Sequence, residues 1–467
     1  MADLTIRGGT VVTPTGQVLG GLSATDGVIT HIGPDHELPS GTQEVDATGK
    51  YLLPGLIDPH VHLGIGPGPA SGAEKMERDF ASESADAASG GVTTMITTTL
   101  FGPESRGEVA ELAAQKGNQY SHVDYRLTAV ITKREHLAEI PDLMKLGLRS
   151  FKFFLGYKGA QAESFGMNVN GISWDFFYQA CEALAGAGAK AFPTIHAEDP
   201  WVRDFLHDRM RGSGQNALLQ RWLETSPNIL EPMQIYPAAL IANEVGTPVY
   251  VVHTSAWQSV DLIRDLRQKG WPVFGETLAA FLYWTAPEAD AKSKGAMGKI
   301  QPPIRLDRDR EALWAGLRDG SLTSVGTDCQ MYPRGSRTDV DFWDAQVGLG
   351  PGMGTMLPAV YTAGVLQGRC GIDDIARLLS YNTAERFDLL PQKGQLAVGA
   401  DADVVVFDPN AQKTVVGSES LTAAGYSLYD GETLTGWPTQ TFVRGQLVFD
   451  SGAIVSPKPI GRHVPQP

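Results

Sequence analysis

Two regimes of hydrophobic patterning divide the chain. Over the first 50 residues, apolar and polar positions alternate at strand spacing, as in Leu4-Thr5-Ile6-Arg7, Thr10-Val11-Val12 and Val28-Ile29-Thr30-His31-Ile32. Asp26-Gly27 ahead of the last is a hairpin turn signal. From about residue 55 the pattern changes. Short apolar runs at 55–63, 92–98, 123–131, 148–156, 191–196, 248–253, 272–276 and 323–328 alternate with helix-length amphipathic segments. Examples of the latter are 77–88, 134–145, 174–185, 257–268 and 308–317. Eight strands alternating with helices predict an α/β fold, a (β/α)8 TIM barrel. The run near residue 274 is short and is the weakest of the eight.

Strand patterning returns near residue 390. Gly394-Gln395-Leu396 leads through Gly399-Ala400-Asp401-Ala402-Asp403 into Val404-Val405-Val406-Phe407, and 443–448 is a further candidate. The simplest packing joins both ends of the chain in one small β-sandwich. The expected organisation is sandwich at 1–53 and 389–455, barrel at 54–388, and an extended arm at 456–467, which holds Pro457, Pro459, Pro465 and Pro467.

Composition narrows the functions open to this fold. The 467 residues are 42% hydrophobic and 19% charged, enough to bury a large core. A net charge of −15 argues against nucleic acid and against an anionic membrane surface as partners. Only Cys181, Cys329 and Cys370 occur, without CxxC spacing, which fits a reducing compartment rather than a disulfide framework. The first residues carry no apolar signal segment and no run of 18 apolar residues follows. A cytoplasmic location is expected.

Barrel enzymes place their chemistry at the C-terminal ends of the strands. Those ends carry His60 and His62, Lys152, His196, His253 and Asp328, so that four of the ten histidines fall there. His60 and His62 are two apart on a strand and share a face. Alone, that pair is equally compatible with two satisfied polar residues, Lys152 with a lysine reaching for water, and Asp328 with a helix cap. Converging on one mouth, they make a metal site. Lys152 is the odd member, since an ammonium repels metals. It lies in Phe151-Lys152-Phe153-Phe154, and burial there lowers its pKa. The neutral amine can take up CO2 as a carbamate (an N6-carboxylysine) and bridge two cations.

These residues carry a resemblance. The chain resembles the cyclic amidohydrolases of the amidohydrolase superfamily, most closely the hydantoinase/dihydropyrimidinase branch. The likeness runs over nearly the whole chain. Its landmarks are Pro54-Gly55-Leu56-Ile57-Asp58-Pro59-His60-Val61-His62, Ser150-Phe151-Lys152-Phe153-Phe154-Leu155-Gly156-Tyr157, His196-Ala197-Glu198, Val252-His253-Thr254-Ser255, Gly326-Thr327-Asp328 and the stretch 394–409. The resemblance implies two divalent metal ions, zinc or manganese. His60, His62 and Asp328 would hold one, His196 and His253 the other, with carboxylated Lys152 between. It implies that Tyr157 bonds the substrate carbonyl and that Asp58 orients a ligand. The reaction implied is ring opening of a cyclic amide by a hydroxide bridging the metals, with Asp328 moving the proton. A homotetramer or homodimer is implied, with the sandwich and the arm as contacts.

The chain departs from the family pattern at three places. Gln301-Pro302-Pro303-Ile304-Arg305 stands where a serine opens the motif, and Gly348-Leu349-Gly350-Pro351 lacks the usual asparagine. Backbone contacts from Gln301 and Gly348 to the ring are expected to survive. Cys329 replaces the histidine that commonly follows the metal aspartate. Leu63-Gly64-Ile65-Gly66 carries no arginine after the histidine pair, which disfavours dihydroorotate. Allantoin, another amide or an ester stays open as substrate. A non-catalytic scaffold would have lost ligands that this chain keeps. Segments 64–75 and 158–173 are expected to be lids over the pocket, and Phe153, Phe154 and Phe165 to line an apolar part of it or to pack in the core.

Overall fold

A computed structural model describes residues 1–64, 72–100, 105–188, 190–213 and 218–464. Two nine-stranded sheets organise it. The first draws on both ends of the chain. Strands β1 (Ala2–Thr13), β2 (Gly16–Thr25), β3 (Val28–Gly33), β4 (Gly41–Asp46) and β5 (Tyr51–Pro54) come from the N-terminal part. The second sheet is formed by β6 (Leu56–His62), β7 (Val92–Leu100), β8 (Asp124–Val130), β9 (Ser150–Phe154), β10 (Phe192–His196), β11 (Val249–Val251), β12 (Val273–Leu278), β13 (Ser324–Gly326) and β14 (Cys329–Gln330). The chain then returns to the first sheet with β15 (Val404–Thr414), β16 (Thr433–Val443), β17 (Gln446–Asp450) and β18 (Ala453–Ile454).

The second sheet is parallel throughout, in the order β13-β12-β11-β10-β9-β8-β7-β6-β14. β13 and β14 are two pieces of one strand, interrupted at Thr327-Asp328. The second piece pairs with β6, Cys329 opposite Val61 and Gln330 opposite His62, and so closes the barrel. Its strands, polar side chains such as Asp58, Arg126, Lys152 and Glu276 included, are buried on both faces because helices cover the outside. The helix Trp257–Gln268 shows how: Val260, Ile263 and Leu266 are buried at helical spacing.

The predicted strand at 272–276 is longer than its sequence pattern allows. β12 runs on through Thr277 and Leu278, because Glu276 and Thr277, polar enough to look like a loop, are fully buried. The predicted helix at 134–145 is split. Arg134–Glu139 is a 3-10 segment and Ile140–Lys145 a separate helix with Pro141 in its first turn. Proline there supplies no amide to the preceding turn, so it starts a helix rather than continuing one.

In the first sheet, β5 lies between β1 and β15, so that the N- and C-terminal strands form one continuous path. Its core joins Leu4, Ile6, Val11 and Leu22 to Val404, Val406 and Phe442. The C-terminal segment lies against the chain's own barrel. The amides of Gly461 and Val464 donate to the carbonyls of Ser121 and Tyr125, and Tyr125 N donates to Arg462 O. The extended arm, up to residue 464, therefore covers the far end of β8.

Candidate metal centre

The six residues singled out at the strand ends come together at one end of the barrel, all nearly fully buried. His60 and His62 end β6, Lys152 is central in β9, His196 ends β10, His253 follows β11 by two residues, and Asp328 sits in the break between β13 and β14. His62 Nε2 lies 3.0 Å from His60 Nε2 and 2.9 Å from Asp328 Oδ1, and His60 Nε2 lies 3.5 Å from the same oxygen. Two ligands at about 2.1 Å from one ion in tetrahedral geometry are themselves about 3.4 Å apart, so this triangle has roughly the size of one face of a metal's ligand shell. His196 Nδ1 and His253 Nε2 face each other at 3.0 Å. Lys152 Nζ reaches 3.3 Å from His60 Nε2.

Charge agrees with the distances. Burial pushes His60 down to about 3 and His62 to about 4, and His253 falls well below the usual imidazole range. The rings are therefore neutral and present lone pairs. Burial would raise Asp328, but His60, His62 and Lys152 outweigh it and hold its carboxylate at about 2. Burial lowers Lys152 to about 8, within reach of the neutral amine. Four neutral imidazoles, a carboxylate and a deprotonable amine converge without enough protons to satisfy one another. That donor set fits divalent metal ions.

The backbone is also specialised. His253 and Asp328 adopt positive φ, 39° and 51°. Such a conformation costs on the order of 1–3 kcal/mol in a non-glycine residue and persists where surrounding structure enforces it. For Asp328 the enforcement comes from Asp58. It accepts the amides of His60 at 3.1 Å and Thr327 at 3.2 Å, and the Thr327 hydroxyl at 2.5 Å. Asp58 thus grips the backbone of a ligand strand, not an imidazole ring.

The imidazole partner is Glu276, whose role the strand-end rule passed over although it ends the predicted run at 272–276. Its Oε1 lies 2.8 Å from His60 Nδ1 and accepts the His253 amide at 3.2 Å, while Oε2 accepts the Tyr250 hydroxyl at 2.9 Å. A proton on His60 Nδ1 leaves Nε2 as the lone pair facing the cluster. Burial pushes Glu276 up to about 8, against the opposing pull of Lys152 and of the hydrogen bonds from Tyr250 and the His253 amide. On the other side, Gly156 makes room for His196, since a Cβ there would come within 2.5 Å of the ring.

A cavity of about 230 Å³ opens over the cluster. Phe154, Tyr157 and Phe165 form one wall as a stack of rings, with centroids 5.0–5.2 Å apart. Phe153 points the other way, edge-on to Phe177 at 5.4 Å, and packs in the core. Segment 158–173 contributes Gln161, Ser164 and Phe165 through the short helix Gly159–Ser164 and the residue after it. For the other expected lid, 64–75, residues 65–71 lie outside the described residues. Gln301 and Gly348 line the opposite side with Gln330 and Tyr332. Both polar backbone atoms of Gly348 are engaged, its amide with Lys299 O at 3.0 Å and its carbonyl with the Arg337 guanidinium. Cys329 is buried, and its thiol approaches Glu83 Oε2 at 3.6 Å, away from the cavity.

A closed parallel barrel with a histidine–carboxylate cluster at its mouth defines a metal-dependent hydrolase of the amidohydrolase class. The model of the amidohydrolase family matches residues 247–448. The D-hydantoinase of Ralstonia pickettii is 30% identical, over 99% of this chain and 98% of its own. The D-phenylhydantoinase of Escherichia coli O1:K1 / APEC is 30% identical, over 98% and 97%. Among solved structures, the L-hydantoinase (dihydropyrimidinase) from Arthrobacter aurescens superposes with a TM-score of 0.90 at 27% identity, covering 100% of both chains. The dihydropyrimidinase from Brevibacillus agri NCHU1002 does so with a TM-score of 0.88 at 27% identity, covering 98% of each. The chain belongs to the cyclic amidohydrolases, in their hydantoinase/dihydropyrimidinase branch.

Proposed function

We propose that this chain opens small cyclic amides, hydantoins or dihydropyrimidines and related ureides or imides, by metal-assisted hydrolysis. The observation that carries this is the convergence of His60, His62, Lys152, His196, His253 and Asp328 beneath the cavity. Two divalent ions, zinc or manganese, would be held by His60, His62 and Asp328 and by His196 and His253, with carboxylated Lys152 shared between them. Bound there, they would polarise the scissile carbonyl and lower the pKa of a water to about 7.

The chain's own groups do the rest. Asp328, held as a carboxylate, takes the proton of the attacking water and returns it to the leaving ring nitrogen. Burial raises the Tyr157 phenol, so it stays a donor and stabilises the developing oxyanion from the cavity wall. Asp58 keeps β6 and the Thr327-Asp328 break in register. The backbones of Gln301 and Gly348 position the ring, Gly348 through the second lone pair of its carbonyl. D- and L-selective relatives share this fold, so the hand of the substrate is set by the cavity.

The three cysteines are free thiols, in keeping with a cytoplasmic protein. Among the described residues no helix is long and apolar enough to cross a membrane. We assign it to a homo-oligomer, a tetramer or dimer, with the sandwich among its contacts. The test of function is metal analysis together with rates on hydantoin, dihydrouracil, allantoin and a cyclic imide. Lys152→Ala is expected to lose both metal and turnover. Full activity in that variant would remove the bridging lysine from the mechanism.

A further inference from the structure

Tyr157 lies in an irregular stretch of the cavity wall. Strand β9 ends at Phe154, and the next helix, Gly159–Ser164, begins only after the tyrosine. Stacking against Phe154 and Phe165 fixes the plane of its ring, but stacked rings slide over one another easily. A hydroxyl that must meet a developing oxyanion needs its position fixed as well.

That position is set from behind by one guanidinium. Arg203 is buried on the helix Pro200–Arg211, whose first turn is capped by Asp199 accepting the Val202 amide at 2.9 Å. Its Nη1 donates to Gly156 O at 2.7 Å and to Glu198 Oε2 at 3.3 Å. Its Nη2 donates to Gln161 Oε1 at 3.1 Å and to Asp204 Oδ1 at 2.8 Å. Its Cζ stands 6.0 Å from the centre of the Tyr157 ring. Gly156 directly precedes the tyrosine, Gln161 lines the cavity, and Glu198 belongs to the segment that follows His196. The wall is thus tied to the His196 strand twice, by the Leu155 amide donating to His196 O at 3.1 Å and by Arg203 bridging Gly156 to Glu198. Only a planar fork of donors serves these acceptors together. Among the described residues that line the cavity Arg203 is absent, so it acts through its neighbours.

We infer that Arg203 is a positioning residue for the hydrolysis, which holds the Tyr157 hydroxyl in register with the metal centre by fixing Gly156 and Gln161 against Glu198. This rests on the cyclic amide reading and adds a part to its site. Tyr157 acts on charge that develops only in the transition state, so displacing it lowers kcat and leaves KM nearly alone.

The experiment is a double-mutant cycle on hydantoin, with metal-loaded wild type, Arg203→Lys, Tyr157→Phe and the double variant. Lysine keeps a charge opposite Glu198, which would otherwise be buried unpaired, but loses the fork. Metal content and thermal melting are measured on all four proteins. Arg203→Lys is expected to keep its metal and its KM and to lose about ten-fold in kcat, as a displacement of under 1 Å would cause. In the Tyr157→Phe background the same change should cost less than about two-fold, because the hydroxyl it positions is already gone. Equal losses in both backgrounds overturn the proposal, since a brace for the fold at large acts whether or not the hydroxyl is present. An unchanged kcat overturns it too, as does a loss of metal that accounts for the loss of rate. Full activity in Tyr157→Phe removes the tyrosine from the reaction, and Arg203 with it. Arg203→Gln, neutral but still a donor, repeats the cycle with the same outcomes if the lysine variant melts early. A wild type that opens neither hydantoin nor any other cyclic amide overturns the functional reading instead.

Discussion

Asp328 and His253 share an uncommon property: each brings its side chain into the cluster from a left-handed backbone. No sequence pattern announces this, because glycine is the residue associated with positive φ. The cluster itself was legible, since strand periodicity fixes which polar residues end each strand. Glu276 shows what periodicity leaves out. A carboxylate inside an apolar strand looks like the strand's end until its three partners, from β6, β11 and the turn after β11, are seen around it. Its role gives a prediction at this scale. Glu276→Gln keeps the shape but weakens the hold on the His60 tautomer. Metal affinity or activity should fall about 10- to 100-fold, measured by competition with a chelator and by steady-state rates.

Among the elements, those that carry apolar residues at a clean period were readable, and Trp257–Gln268 coincides with its predicted span. Those whose boundaries depend on burial of polar residues were not. β12 extends past Glu276 into Thr277-Leu278 because the barrel interior satisfies polar groups that would otherwise mark a loop. The C-terminal segment is a second case: prolines forecast an extended arm, but its docking site is on β8, far away in sequence. His463 is seated there beside Tyr125, with ring centroids 5.6 Å apart. Burial, reinforced by Arg126, lowers its pKa to about 4 from 6.5. Below about pH 6.5 the unfolded chain takes up a proton that the folded chain refuses, so stability falls as pH drops from about 6.5 to about 4. His463→Gln should remove that component, on the order of 2 kcal/mol at the acid end. Melting curves of both proteins across this range check it. Identical pH dependence would show that His463 does not carry it.

At the scale of the molecule, barrel and sandwich are joined by a buried ionic knot. Lys393 Nζ lies 2.8 Å from Asp124 of β8, 2.9 Å from Asp401 and 2.8 Å from Asp403, and Arg444 also pairs with Asp124. The three aspartates have the spacing of a cation site, but the lysine ammonium already fills it. The surrounding carboxylates hold that lysine firmly charged. Lys393→Met would leave three buried carboxylates around an apolar tip. A loss of about 3–5 kcal/mol is expected in chemical denaturation, with the catalytic rate at moderate temperature little changed. An unchanged midpoint would mean that the knot is not what joins the two units.

The break in the last barrel strand has a consequence for how the protein comes into being. Asp58 and Thr327, whose bonds shape the Asp328 turn, are 269 residues apart in the chain. Contacts of such separation form late, because the loop they close must be ordered first. A nascent or partly unfolded chain can hold His60 and His62 on one strand and still lack the third corner of the triangle. The triangle of His60, His62 and Asp328 is thus complete only when β14 has paired with β6 and the ring of strands is closed.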